Sequence, residues 1–233
     1  DFDRVRLIQG DTDIVKFGGG SHSGRSMRLA GIIMGAASDE IIAKGKRIAG
    51  HLLEAAEGDI EFADGAFTVA GTDRRVGLFE LAAAAESRAD LPDELKGPLA
   101  AESDQVIQIP AFPYGAHVCE VEVDEDTGRI ELVKYAGVDD VGRAINPLIL
   151  HGQAHGAIVQ GLGQAMFEHS NYDGETGQLL SASFMDYAMP RADTMPSLDT
   201  AISEVPSTTN RLGIRAGGEG GTTPALAVLI NAV

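Results

Sequence analysis

The sequence predicts an α+β fold of mixed sheets with long packed helices, and three observations lead there. Leu29, Ile32, Ile33, Ala37, Ile41, Ile48 and Leu52 recur at helical spacing, which marks a long amphipathic helix. Short strand-like runs flank turn residues at Asp64-Gly65 and at Asp124-Glu125-Asp126-Thr127-Gly128. Asn146-Pro147 opens a second long helical stretch, with Asn as the N-cap and Pro at the first helical position.

The elements follow in order. Arg4-Val5-Arg6-Leu7-Ile8 alternates and predicts a strand. A polar stretch leads through Gly18-Gly19-Gly20-Ser21-His22-Ser23-Gly24 to a helix over about residues 25–56. Residues 59–62 and 66–70 flank Asp64-Gly65, the signature of a type I′ hairpin. Val76 to Ser87 reads as a short Ala-rich helix, and residues 88–104, with Pro92, Gly97 and Pro98, as an exposed connection. That stretch also offers an internal division between 1–90 and 105–233. Val118 to Val123 and Ile130 to Val138 read as strands around the acidic turn. The helix from Pro147 to about His169 carries Gly152, Gly156, Gly161 and Gly163. Each costs roughly 1 kcal/mol against Ala, which close approach of another backbone or a ligand would justify. Residues 199–204 predict a strand and Thr223 onward a last helix. No internal repeat is evident.

A length of 233 residues, 44% hydrophobic, suits one large domain or two small ones with a real core. The formal charge of −17 argues against nucleic-acid binding and against docking on an anionic membrane. One cysteine, Cys119, excludes a disulfide framework and an iron–sulfur cluster held by this chain alone, which takes about four thiolates. Apolar runs such as Ala225 to Ile230 are too short to span a bilayer. The charged N-terminus, Asp1-Phe2-Asp3-Arg4, has no signal-peptide pattern. Both ends read as cut from something longer, and the expected location is the cytoplasm.

Four constellations could carry chemistry. Gly19-Gly20-Ser21-His22-Ser23-Gly24-Arg25-Ser26 has the spacing of a phosphate loop with Arg in place of Lys. It could bind an anion through backbone N–H groups, cap the helix, or serve nucleotidase chemistry. His151 and His155 share a helix face as metal ligands can, but no Glu occupies the zincin position, and ordinary packing or capping is the preferred reading. The acidic turn at 124–128 resembles the start of a calcium loop without its later ligands, so a hairpin turn is preferred. Glu219 is a lone carboxylate among Gly217, Gly218, Gly220 and Gly221. In an apolar, narrow site it would be a general base with a raised pKa. Alternatively, it decorates the first turn of the last helix.

Five segments together resemble the large, molybdenum-binding subunit of the xanthine dehydrogenase/aldehyde oxidase/carbon monoxide dehydrogenase family. They are Gly20-Ser21-His22-Ser23-Gly24-Arg25-Ser26-Met27, the run Val138 to Pro147, the run Gly152 to Ala165, Met185 to Ala192, and Gly213-Ile214-Arg215-Ala216-Gly217-Gly218-Glu219. The resemblance covers essentially the whole chain but matches only the C-terminal part of that longer subunit. It implies the molybdopterin-binding domain of a molybdenum hydroxylase. The metal would be held by the dithiolene of the pterin, not by a side chain, and the pterin would carry cytosine dinucleotide.

The resemblance implies that Ser21, Ser23, Gly24, Arg25 and Ser26 form a cofactor-binding loop, that Gln153 hydrogen-bonds the pterin, and that Glu219 stands beside the metal. Glu219 would then be the general base for hydroxylation of an electrophilic carbon, with hydride transfer to the molybdenum. Electrons would leave through 2Fe-2S and FAD centres on partner subunits, with the remainder of the molybdenum subunit as a further partner. Ala216 stands where the family often has Gly, Arg215 where it often has Lys, and Gly24 where many members have Ser. Because the resemblance puts much of the site upstream, this chain alone is expected to be inactive. The alternative is a non-catalytic assembly segment that keeps the fold. The substrate class (purine, aldehyde, N-heterocycle or carbon monoxide) is left open.

Overall fold

The computed structural model describes residues 2–22 and 24–233. The chain forms two compact units, one of Leu29–Ile109 and one of the residues up to Arg28 together with Pro110–Val233. Among the described residues no helix is long and apolar enough to cross a membrane.

The smaller unit takes most of α1 (Ser26–Leu52), then β1 (Ile60–Ala63), β2 (Ala66–Val69), β3 (Arg75–Gly77) and α2 (Leu78–Ser87). The three strands are antiparallel in the order β1-β2-β3. Asp64 and Gly65 both have positive φ, 50° and 73°, as the predicted type I′ turn requires. β3 escapes the pattern reading because three residues are too few to show alternation. Val76, read as the start of a helix, instead pairs with Phe67.

The core gathers Ile48 from α1, Ile60 and Phe67 from the sheet, and Leu81 and Ala85 from α2. Gly45 makes room for it, since a Cβ there would lie 2.2 Å from Phe67 Cζ. Residues 88–104 are not simply an exposed connection. Leu91 and Leu95 are buried in this same core, and the Gly97 N–H donates to the Ala85 carbonyl at 2.9 Å.

The larger unit is built on β4 (Tyr114–Val123), β5 (Ile130–Asp140) and β6 (Leu198–Ser203). β4 and β5 are antiparallel and β5 and β6 parallel, giving a mixed sheet. The acidic turn is a hairpin turn, with Asp124 Oδ1 accepting from the N–H groups of Asp126 and Thr127, both at 2.9 Å. α3 (Pro147–Met166) and α4 (Thr222–Ala232) pack on the sheet through Tyr135, Ile158, Leu162, Ala225 and Leu229. Two of the helix glycines have a steric reason. A Cβ at Gly161 would lie 2.4 Å from the Thr222 carbonyl, and one at Gly163 2.7 Å from Pro190. Gly152 and Gly156 face open space.

Beneath the sheet His117 bridges Tyr135 (2.8 Å, Nδ1) and Asp139 (3.1 Å, Nε2). Burial pushes the Tyr135 hydroxyl up, so it stays protonated. The predicted strand at 4–8 does not form. Phe2–Arg4 is a single 3₁₀ turn, and Val5 and Leu7 are exposed. Alternation makes a strand only where a neighbouring strand completes its hydrogen bonds, and among the described residues none pairs with this segment.

Phe67→Ala is expected to destabilise the smaller unit by about 3–5 kcal/mol. Gly45→Ala should also destabilise it, and the double variant should lose less than the sum, because the added methyl then enters the space the ring left. Urea unfolding midpoints of the four proteins check this.

Candidate functional site

A cavity of about 460 Å³ lies in the larger unit, and four chain segments wall it. The first is the loop that enters α1. Gly20 and Gly24 adopt positive φ, 70° and 59°, turning the chain so that Ser21, Gly24 and Ser26 border the cavity. The hydroxyls of Ser21 and Ser26 are hydrogen-bonded at 2.7 Å. Ser26 opens the helix, where the first N–H groups have no intrahelical acceptor. Arg25 behaves differently: its guanidinium donates to the Gly19 carbonyl at 2.7 Å, and Arg25 is not among the lining residues. Ser23 lies outside the described residues.

The second wall is the stretch leaving β5. Gly142 bridges Ile214, the Arg143 N–H donates to the Gly213 carbonyl at 2.9 Å, and the Arg215 N–H to the Val141 carbonyl at 2.8 Å. Gly142, at φ 68°, is held to glycine because a Cβ would lie 2.3 Å from that Gly213 oxygen. Just before it sits Asp140, only 3% exposed. Its Oδ1 accepts from the N–H groups of Gly142 (2.8 Å) and Val205 (3.3 Å), and Arg215 Nε lies 3.6 Å away. Burial by itself would raise this carboxyl. The hydrogen bonds from Gly142, Tyr114 and Val205 and the Arg215 charge outweigh that and hold it below the usual range. Asp140 lies within the Val138–Pro147 run, but a buried Asp and a surface Asp look alike in one sequence.

The third wall is the start of α3. Asn146 caps it, accepting from the Ile149 N–H at 3.3 Å, and Ile149, Leu150 and Gln153 face the cavity. His151 and His155 are both spent on one hydroxyl, that of Thr200, at 2.9 and 3.0 Å, which fits packing rather than metal ligation. The fourth wall is Ala216–Glu219. The loop lies flat on α3, for a Cβ at Gly217 would come 2.3 Å from Leu150 Cδ2. Glu219 borders the cavity but is exposed, not enclosed in an apolar slot. It stands in the turn ahead of α4, its carbonyl accepting from the Thr222 N–H at 3.2 Å. α4 begins at Thr222 with no acidic residue in its first turn, so the helix-dipole reading does not describe Glu219.

Four of the five sequence segments thus meet at one cavity. The fifth, Met185 to Ala192, is not among its lining residues. Met185 is almost fully exposed, and Pro190 packs at Gly163. Arg143 borders the cavity and is the only Lys or Arg among its described lining residues. The lining therefore offers hydroxyls, two side-chain amides, an imidazole, backbone N–H groups and a guanidinium, with a single carboxylate. That donor set suits an anionic, hydrogen-bonding ligand.

The model of the molybdopterin cofactor-binding domain matches residues 1–196. The chain belongs to this family. The gamma subunit of the 6-hydroxypseudooxynicotine dehydrogenase complex of Paenarthrobacter nicotinovorans is 36% identical over 99% of the chain. The carbon monoxide dehydrogenase large chain of Afipia carboxidovorans is 32% identical over 99%. A crystal structure of a Cu,Mo-CO dehydrogenase in its carbon monoxide reduced state superimposes with a TM-score of 0.80 over 95% of the chain, at 33% identity. The chain spans 28–29% of the length of these proteins. Glu219 lies beyond the residues that the family model matches, but the sequence relatives align over nearly the whole chain.

The residues at 24 and 216 constrain each other. A Cβ at Gly24 would lie 2.5 Å from the Ala216 methyl, on a backbone already at φ 59°. Ala216 thus occupies the space that a residue larger than Gly at 24 would need. Gly24→Ser is expected to lower the melting temperature of the protein, and adding Ala216→Gly should recover part of the loss. The remainder reflects the left-handed backbone, about 1 kcal/mol for a non-glycine residue. Thermal unfolding of the single and double variants measures both parts.

Proposed function

We propose that this cavity binds the pterin dinucleotide of a molybdenum hydroxylase and that Glu219 is the general base at its mouth. The carrying observation is the convergence of Ser21, Gly24 and Ser26, of the Val141–Asn146 stretch, of Gln153 and of Glu219 on one cavity. The donors fit the group. Loop N–H groups and the Ser21 and Ser26 hydroxyls would take phosphate oxygens at a helix N-terminus. Gln153 would hydrogen-bond the pterin edge, and Arg143 would balance charge in a chain of net charge −17. Gly217 and Gly218, which carry no side chain, would let a planar group approach that wall. When bound, the cofactor supplies two-electron oxidation and an activated oxygen.

The chain's own part is positional and acid–base. Glu219, on a loop packed against α3, would accept a proton at its carboxylate during hydroxylation of an electrophilic carbon. The resident form would be molybdopterin cytosine dinucleotide. FAD-binding and 2Fe-2S subunits would carry electrons away, and the rest of the molybdenum subunit would close the site over the exposed Glu219. The substrate would be a small molecule such as the carbon monoxide or N-heterocyclic compounds named in the relatives.

In the complete enzyme, Glu219→Gln should keep molybdenum content and lower turnover by about 10²–10⁴-fold. Turnover near the wild-type value at full loading would remove Glu219 from the base role. The 233-residue chain on its own is expected to purify with little molybdenum, because the cavity is open at the Glu219 side. Elemental analysis of the isolated chain checks this, and near-stoichiometric metal would contradict it.

A further inference from the structure

The Glu219 loop is tied down by a charge clamp whose parts come from four places in the larger unit. Arg215 lies four residues before Glu219. Its Nε donates to the Val205 carbonyl at 3.2 Å and faces Asp140 Oδ1 at 3.6 Å. Its guanidinium carbon lies 5.1 Å from the centre of the Tyr114 ring, a cation–π distance. Asp140 is buried at the end of β5. Its Oδ1 already accepts from Gly142 and Val205, and the carboxylate also accepts from the Tyr114 hydroxyl.

A buried carboxylate costs stability even when it is hydrogen-bonded, so a hydrophobic residue would serve better if packing were the only demand. The charge stays buried here because it meets Arg215. The flat guanidinium touches a carbonyl, a carboxylate and a ring face at once, which a Lys ammonium cannot reproduce.

We propose that Asp140 and Arg215 are positioning residues that fix the Ala216–Glu219 loop, and with it the Glu219 carboxylate, at the mouth of the cavity. The inference rests on the general-base reading of Glu219. Neither residue is among those lining the cavity's floor or touching its contents: Asp140 does not line it, and neither does Arg215. Their effect passes through the backbone from Arg215 to Glu219.

The test uses the complete enzyme carrying Asp140→Asn, Arg215→Lys or Arg215→Met. Asn keeps the acceptor for the Gly142 and Val205 N–H groups and removes the charge. Lys keeps the charge and removes the flat multi-point contact. Hydrogen exchange of the 216–221 amides is read against that of β4 and α3, together with kcat and KM per bound molybdenum. Carbon monoxide, 6-hydroxypseudooxynicotine, xanthine and benzaldehyde serve as trial substrates.

The clamp predicts exchange at 216–221 faster by about tenfold or more in Asp140→Asn and Arg215→Met, with β4 and α3 unchanged. Arg215→Lys should be intermediate. On whichever substrate is turned over, kcat per molybdenum should fall by up to about 10²-fold with KM nearly constant, the size expected for a displaced catalytic group. Exchange that stays at the wild-type rate at 216–221, or that rises throughout the unit together with loss of molybdenum, overturns the proposal. If Glu219→Gln leaves turnover intact while the loop still loosens in these variants, the base assignment fails and the clamp stands.

Discussion

A Cβ at Gly142 would lie 2.3 Å from the Gly213 carbonyl, one at Gly217 2.3 Å from Leu150, and one at Gly24 2.5 Å from Ala216. Three times over, the cavity's walls meet at a glycine, against a backbone carbonyl, a leucine methyl and an alanine methyl, at distances that a Cβ would prevent. This close approach is the constraint on which the site depends. It lets the loop before α1, the end of β5, the start of α3 and the loop before α4 converge, although they lie far apart in the chain. The bridge between Gly142 and Ile214 then converts proximity into a fixed register.

The charge distribution follows the same local logic. A chain with 35 acidic and 18 basic residues cannot draw an anion by its overall field. Binding has to come from groups at the cavity itself. Arg25, the obvious cation in the sequence, is occupied by the Gly19 carbonyl, and Arg143 borders the cavity in its place. Asp140 and Arg215 face each other in the layer behind the wall. Their charges hold the backbone there and leave Glu219 as the carboxylate on the cavity side.

Much of this was legible in the residues. Asp64-Gly65 specified its turn because only left-handed backbone twists a two-residue loop to match its strands. Asn146-Pro147 specified a helix start because cap and ring geometry are local. Local reading failed where the deciding partner was remote. Arg4 to Ile8 alternates like a strand but has no neighbour among the described residues. Leu91 and Leu95 sit in a Pro- and Gly-rich stretch, yet fill the core beneath α1 and α2. Gly161 and Gly163 could be seen to need a reason, but not that the reasons were Thr222 and Pro190. His151 and His155 could be read as packing or capping residues, but their shared partner, Thr200, could not be read.

The sequence alone determined the local events: the two long helices, both hairpin turns, the glycine loop at the entrance of α1, and a set of motifs specific enough in order and spacing to indicate the family. These are properties of short stretches, where capping, turn conformation and periodicity act over a few residues. Tertiary structure decided which stretches meet. It placed Glu219 at an exposed mouth instead of an apolar slot, turned Arg25 away, left the 185–192 segment off the cavity, and buried Asp140 against Arg215. Whether a carboxylate is a bare surface group or the anchor of a loop depends on what surrounds it. Those surroundings come from residues tens to more than a hundred positions away in the chain.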